Sequence, residues 1–138
     1  MFQKIMVPVD LAHLEALEKA LAVAADLAVQ YEADVCYVGV TATTPSALAH
    51  SPEEYQAKLQ AFAEQECQRH GRPCEARMYT AADPVAMLDD RLLEAVRETG
   101  ADLLVMATHL PKRLDAIMPS NGSKVAKHTD ISVFLVRA

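Results

Sequence analysis

The sequence predicts an α/β fold in which a parallel sheet is covered by helices, and three observations carry that prediction. Short β-rich runs alternate with longer segments of helical periodicity along the whole chain. The helical segments open on Ser or Asp followed by Pro and close on Gly, the residues that helix ends favour. The run Ala28-Val29-Gln30-Tyr31-Glu32-Ala33-Asp34-Val35 is echoed by Ala95-Val96-Arg97-Glu98-Thr99-Gly100-Ala101-Asp102-Leu103. Each joins a helix end through Ala-Asp to an apolar strand, as in two similarly wound βα halves. Strands one and four would then be neighbours, and their loops would part to leave a crevice at the C-terminal edge of the sheet.

Strands are expected at 4–10, 34–42, 74–80, 102–108 and 131–137. Between the first two, Leu14, Leu17, Leu21, Ala24, Leu27 and Ala28 recur at helical spacing, which gives that helix one apolar face to lay on the sheet. The second helix starts at Ser51-Pro52-Glu53-Glu54. Ser51 caps, Pro52 suits the first helical position, Glu54 closes a capping box, and Gly71 stops the helix. Asp83-Pro84 opens the third helix and Gly100 ends it. A fourth begins at Ser120 and carries Val125 and Ala126 inward.

A chain of 138 residues, 51% of them apolar, fits one domain spanning 1–138 with a sizeable core. Asp plus Glu outnumber Lys plus Arg, 19 to 13, and the densest basic pair is Lys112-Arg113, so nucleic acid is not an expected partner. No apolar run approaches the ~20 residues that span a bilayer, so a membrane is not expected either. Met1-Phe2-Gln3-Lys4-Ile5 leads into a strand without a signal-peptide pattern, and a soluble cytoplasmic protein is the expectation. Cys36, Cys67 and Cys74 have no Cys-x-x-Cys spacing, which argues against zinc and a disulfide framework. They read as reduced thiols packed like small hydrophobes, with a redox role as the lesser alternative.

The crevice edge gathers Pro8-Val9-Asp10, Val40-Thr41, Ala82-Asp83 and the long loop from Ala107 to Pro119. Asp10 can accept hydrogen bonds from a ribose hydroxyl or a base amine, or cap the next helix, or both. Asp83 reads as a plain cap. His109 directly follows strand four, where it would meet a ligand phosphate, but it has no partner that makes a metal site. His13, His50, His70 and His128 read as solvated. Ser120 and Ser123 are cap candidates whose hydroxyls, with helix-start amides, can also hold an anion. No Gly-x-Gly-x-x-Gly follows the first strand, no P-loop occurs, and no nucleophile elbow or His-Glu-x-x-His is present. Catalytic residues are therefore not assigned, and the chain is not expected to be an enzyme.

Taken in order, these pieces resemble a universal stress protein domain over the whole chain. The first strand Ile5-Met6-Val7-Pro8-Val9-Asp10, the Ala82-Asp83-Pro84 turn, the strand entry Gly100–Met106 and the closing Val133–Arg137 carry the likeness. The branch with a Ser-His-Arg-Pro and Gly-Ser-Asn loop is matched at Ala107-Thr108-His109-Leu110-Pro111 and Met118-Pro119-Ser120-Asn121, then at Lys127-His128 and Ser132–Arg137. The resemblance implies a Rossmann-like five-stranded parallel sheet in the order 3-2-1-4-5 with helices on both faces, and a homodimer. It also implies that nucleotide-binding members hold ATP, with magnesium, through a Gly-x2-Gly-x9-Gly-Ser/Thr loop. Carried onto this chain, Pro8, Val9 and Asp10 stand near base and ribose, Val40 against the adenine, and Ser120 and Asn121 near the phosphates, with Ala107, Thr108 and His109 at the start of the loop.

The loop glycines do not carry over: Ala107, Leu110 and Pro119 stand in their places. Pro119 has no amide hydrogen and fixes φ near −65°, which removes one donor from an anion nest. Three readings follow. One is an adenine-nucleotide-binding regulatory dimer of the stress response. The second is a stress-response interaction or scaffold dimer without nucleotide, acting on a protein partner. The third and least supported is slow ATP hydrolysis or self-phosphorylation on Ser120, Ser123 or Thr108. Ser132–Arg137 carries few charges and would form an edge strand through which two copies pair.

Overall fold

The computed structural model describes residues 1–46, 48–108 and 121–137, with the side chains of 121–123 excepted. The chain runs β1 (Lys4–Pro8), a 3-10 segment (Leu11–Leu17), α1 (Glu18–Tyr31), β2 (Asp34–Ala42), α2 (Pro52–His70), β3 (Cys74–Ala81), α3 (Pro84–Thr99), β4 (Leu103–Thr108), α4 (Asn121–His128) and β5 (Ser132–Arg137). All strand pairings are parallel and the sheet order is β3-β2-β1-β4-β5, the order that the resemblance implies.

Side-chain alternation along the strands divides the core in two. Ile5, Val7, Val9, Val35, Tyr37, Leu103 and Val105 face α1 and α2. Met6, Cys36, Val38, Leu104 and Met106 face α3 and α4. Strands covered on both faces need apolar residues at consecutive positions, which is why β1 and β4 read as unbroken apolar runs. Helix α1 offers the sheet the small residues Ala20, Ala24 and Ala28 beside Leu21, so its axis can approach closely. Leu59 of α2 and Leu92 of α3 are fully buried on opposite faces. Burial of each stabilises the fold by roughly 1.5–3 kcal/mol.

Local signals fix the helix ends. Ser51 Oγ accepts from Glu54 N–H at 3.1 Å and Asp83 Oδ1 from Ala86 N–H at 3.2 Å. Gly71 and Gly100 stop α2 and α3 at φ of 73° and 70°, a region that costs glycine nothing. The Glu54 carboxylate, however, does not close a box on Ser51. It accepts from the backbone N–H of His50, one residue further back, at 3.0 Å. Helix α1 ends without glycine: Glu32 takes the left-handed conformation at φ 54°, and Ala33 N–H donates to Ala28 O at 2.9 Å in a Schellman turn.

Three expectations are corrected here. The first strand stops at Pro8 rather than Asp10, and the apolar stretch after it is not one helix. Leu11–Leu17 is a 3-10 segment broken at His13 (φ −136°, ψ 51°), and the α-helix starts only at Glu18. His70 is not a solvated residue either. It lies half-buried between Tyr37 Oη at 3.2 Å and Cys74 Sγ at 3.3 Å, and burial lowers its pKa.

Candidate functional site

The split between β1 and β4 creates the site. β1 pairs with β2 over five residues, from Lys4↔Asp34 to Pro8↔Val38, but with β4 only at Ile5↔Leu103 and Met6↔Leu104. β4 in turn stays with β5 for six residues, from Leu103↔Ser132 to Thr108↔Arg137. Proline explains why the central pairing stops. Val9 N–H donates to Val38 O of β2 at 2.8 Å. Successive residues of a strand turn their N–H groups to opposite sides, so the residue before Val9 should serve β4. That residue is Pro8, which has no N–H to give.

The predicted residues gather at this edge. Asp10 follows β1 by two residues, Val40 lies two residues beyond the last β1–β2 pair Pro8↔Val38, and Thr108 is the last residue of β4. Val9 is buried, Thr108 nearly so, and Val40 and Ala107 are half-buried. Asp10 is the exposed member, with 60% of its side chain open. His109 and Ser120 lie outside the described residues, as do Leu110, Lys112, Arg113 and Pro119 and the side chains of Asn121 and Ser123.

Asp10 already has two partners. Its Oδ1 accepts from Ala12 N–H at 3.0 Å, and its Oδ2 lies 2.9 Å from His13 Nδ1. The helix-capping alternative for Asp10 is thus realised at the 3-10 segment. It leaves free lone pairs on a solvent-facing carboxylate, so the group can still accept from a ligand hydroxyl or amine. The hydrogen bond and then the charge of Asp10 raise the pKa of His13.

Tyr55 was not singled out by the sequence. It enters from the first turn of α2, is 3% exposed and packs on Gly39 of β2. Burial, then the Asp10 charge, pushes its phenol up to about 12, so it stays protonated at neutral pH and keeps a hydroxyl able to donate a hydrogen bond. The available signal was Gly39 itself, since a glycine inside an apolar strand marks a close approach by another group. Two surface depressions among the described residues lie elsewhere. One, of about 330 Å³, is lined by Met78, Tyr79, Thr80, Arg91 and Glu94, and the other, of about 230 Å³, includes Cys67 and Cys74.

The fold has counterparts among known proteins. The model of the universal stress protein family matches residues 1–137. Among solved structures, a universal stress protein in complex with cAMP is similar at 19% identity and a TM-score of 0.73, over 98% of this chain and 97% of that one. The universal stress protein from Archaeoglobus fulgidus in complex with dAMP is similar at 18% identity and a TM-score of 0.65, over 96% of each chain. A family protein from Arabidopsis thaliana with AMP bound matches at 20% identity and a TM-score of 0.67, over 98% of this chain and 91% of that one.

Proposed function

Because the chain belongs to the universal stress protein family, we propose that it is a regulatory module of the stress response. In this reading it binds an adenine nucleotide in the crevice between the C-terminal ends of β1 and β4. The observation that carries the reading is the parting of those strands after Met6↔Leu104, with Asp10, Val40 and Thr108 at or just beyond the C-terminal ends of their strands. In this role Asp10 accepts from ribose or base and Val40 offers apolar surface to the purine. Ser120, Asn121 and His109 serve the phosphates, with magnesium when the ligand is ATP. Family structures with cAMP, dAMP and AMP support the ligand class. No bond-breaking step is assigned to the crevice.

The test is a nucleotide assay on protein purified without added ligand. The protein is denatured, its supernatant is resolved by ion exchange, and ATP with magnesium, AMP and cAMP are titrated by calorimetry. Co-purified nucleotide or micromolar binding that Asp10→Ala weakens at least tenfold is expected. An empty protein that gives no heat at millimolar nucleotide would sink the reading.

The sequence favours one second reading, a scaffold dimer without nucleotide, because Ala107, Leu110 and Pro119 replace the loop glycines. Both readings include a homodimer through β5. That strand ends the sheet, and its Phe134 and Leu135 are 44% and 39% exposed. An exposed apolar edge is open to a second copy. Sedimentation at micromolar protein distinguishes a dimer from a single 15.0 kDa chain.

A further inference from the structure

At the opposite edge of the sheet from the crevice, α2 ends and β3 begins across a short turn stopped by Gly71. This turn brings two thiols together. Cys67 Sγ donates to Arg72 O at 3.1 Å and Cys74 Sγ to the same oxygen at 3.4 Å, so the sulfurs sit side by side over one carbonyl. Both residues are half-buried and line the 230 Å³ surface depression, together with Gln60, Ala63, Glu64 and Gln68. The third thiol, Cys36, is fully buried in the core facing α3 and α4.

We propose that Cys67 and Cys74 are an oxidisable dithiol site, closed to an intramolecular disulfide by a small neutral or cationic disulfide that enters this depression. The walls argue for that class of oxidant. They offer amides from Gln60 and Gln68, the Ala63 methyl and the carboxylate of Glu64, and among the described residues no cation lines them to receive an anionic one. Reaction takes two exchanges. The Cys67 thiol loses its proton to solvent and its sulfur attacks one sulfur of the small disulfide. A new S–S bond forms, the old one breaks, and the released thiolate takes up a proton. The Cys74 sulfur, deprotonated in turn, attacks Cys67 Sγ and expels the second small thiol. Two protein thiols are oxidised by two electrons, and one disulfide is reduced to two thiols.

His70 favours the second exchange. Arg72 N–H donates to its Nδ1 at 3.1 Å, so the neutral ring carries its hydrogen on Nε2. That Nε2–H is shared between Tyr37 Oη at 3.2 Å and Cys74 Sγ at 3.3 Å, and turned toward the sulfur it can stabilise negative charge developing there. Burial first, and the neighbouring Cys67 thiol second, push Cys74 up to about 12. Cys74 therefore suits the resolving role, in which the mixed disulfide is held beside it, better than attack on a free oxidant.

The full chain is incubated near neutral pH with bis(2-hydroxyethyl) disulfide, followed by intact-mass measurement and a tryptic map without reductant. Two of the three thiols should disappear with loss of two hydrogens, and the peptide ending at Arg69 should be linked to the one containing Cys74. Cys74→Ser should retain the hydroxyethylthio adduct on Cys67, and Cys67→Ser should react at least about tenfold more slowly. Stable mixed adducts on the unsubstituted chain, disulfides between chains, or Cys36 reacting as fast as the other two would overturn the proposal. So would no reaction, whatever the outcome of the nucleotide assay.

Discussion

Asp10 Oδ2 and His13 Nδ1 share a 2.9 Å hydrogen bond at the rim of the crevice, so the carboxylate that caps the 3-10 segment after β1 is paired with an imidazole three residues on. The pair raises the His13 pKa above 6.5. A raised folded-state value means that the pair's contribution to stability is full below the unfolded pKa and is lost as pH rises through the folded one. Both side chains are more than half exposed, so water and salt screen the effect. A proton-NMR titration should place the His13 midpoint above 6.5, and Asp10→Asn or high salt should move it back. A midpoint unmoved by Asp10→Asn would contradict the pairing.

Gly39 is constrained by Tyr55. A Cβ at position 39 would press on the phenol oxygen and stand 2.8 Å from Cε1 and 3.0 Å from Cζ. Gly39→Ala should therefore destabilise the fold by about 1–3 kcal/mol through overpacking. Tyr55→Phe removes only the oxygen, so it should return part of that loss in a urea-denaturation double-mutant cycle. Additive effects would mean that the two residues do not touch.

Helix α1 stops on a residue that dislikes its conformation. Glu32 sits at φ 54°, ψ 44°, and its contribution to Arg72 is a backbone carbonyl, which accepts from Arg72 Nη2 at 2.7 Å and survives substitution. Glu32→Gly should raise stability by roughly 1 kcal/mol, because relief of the left-handed strain exceeds the added freedom of the unfolded chain. A lower melting temperature for the variant would refute this.

The caps should be individually modest and mutually independent. Ser51→Ala and Asp83→Ala each remove one acceptor from a helix start, at a cost of about 1 kcal/mol. The two helices lie on opposite faces of the sheet, so the double variant should lose the sum within about 0.5 kcal/mol. Chemical denaturation of the three variants measures this directly.

What was legible in the sequence follows from how local each cause is. Ser51, Asp83, Gly71 and Gly100 act within a few residues, and each does what its type and position predict. The β2 boundaries match at both ends because Asp34 and the polar residues after Ala42 bracket a continuous apolar run. The break at His13 was hidden because Leu14, Leu17 and Leu21 keep helical spacing across it, and periodicity does not report the pull of Asp10. Partnerships between distant elements were hidden more deeply. Arg72 donates to Ala33 O, Glu32 O and Asp34 Oδ1, Tyr55 meets Gly39, and Cys67 meets Cys74 only because α2 folds back onto β3. Of the candidate site, the location of Asp10, Val40 and Thr108 at the C-terminal edge of the sheet was legible once the strands were ordered. The loop residues His109 and Ser120 lie outside the described residues.

Pro8 ends the pairing of β1 with β4 by lacking a hydrogen, and this bears on timing and on affinity. A gap held open by an absent donor exists as soon as the chain folds, so an incoming molecule has no backbone ladder to unzip. The work of parting the strands is done in folding, and binding begins from a cleft already shaped. Restoring the donor with Pro8→Ala would give β4 a chance to close onto β1, and the cleft would become something that a guest has to open.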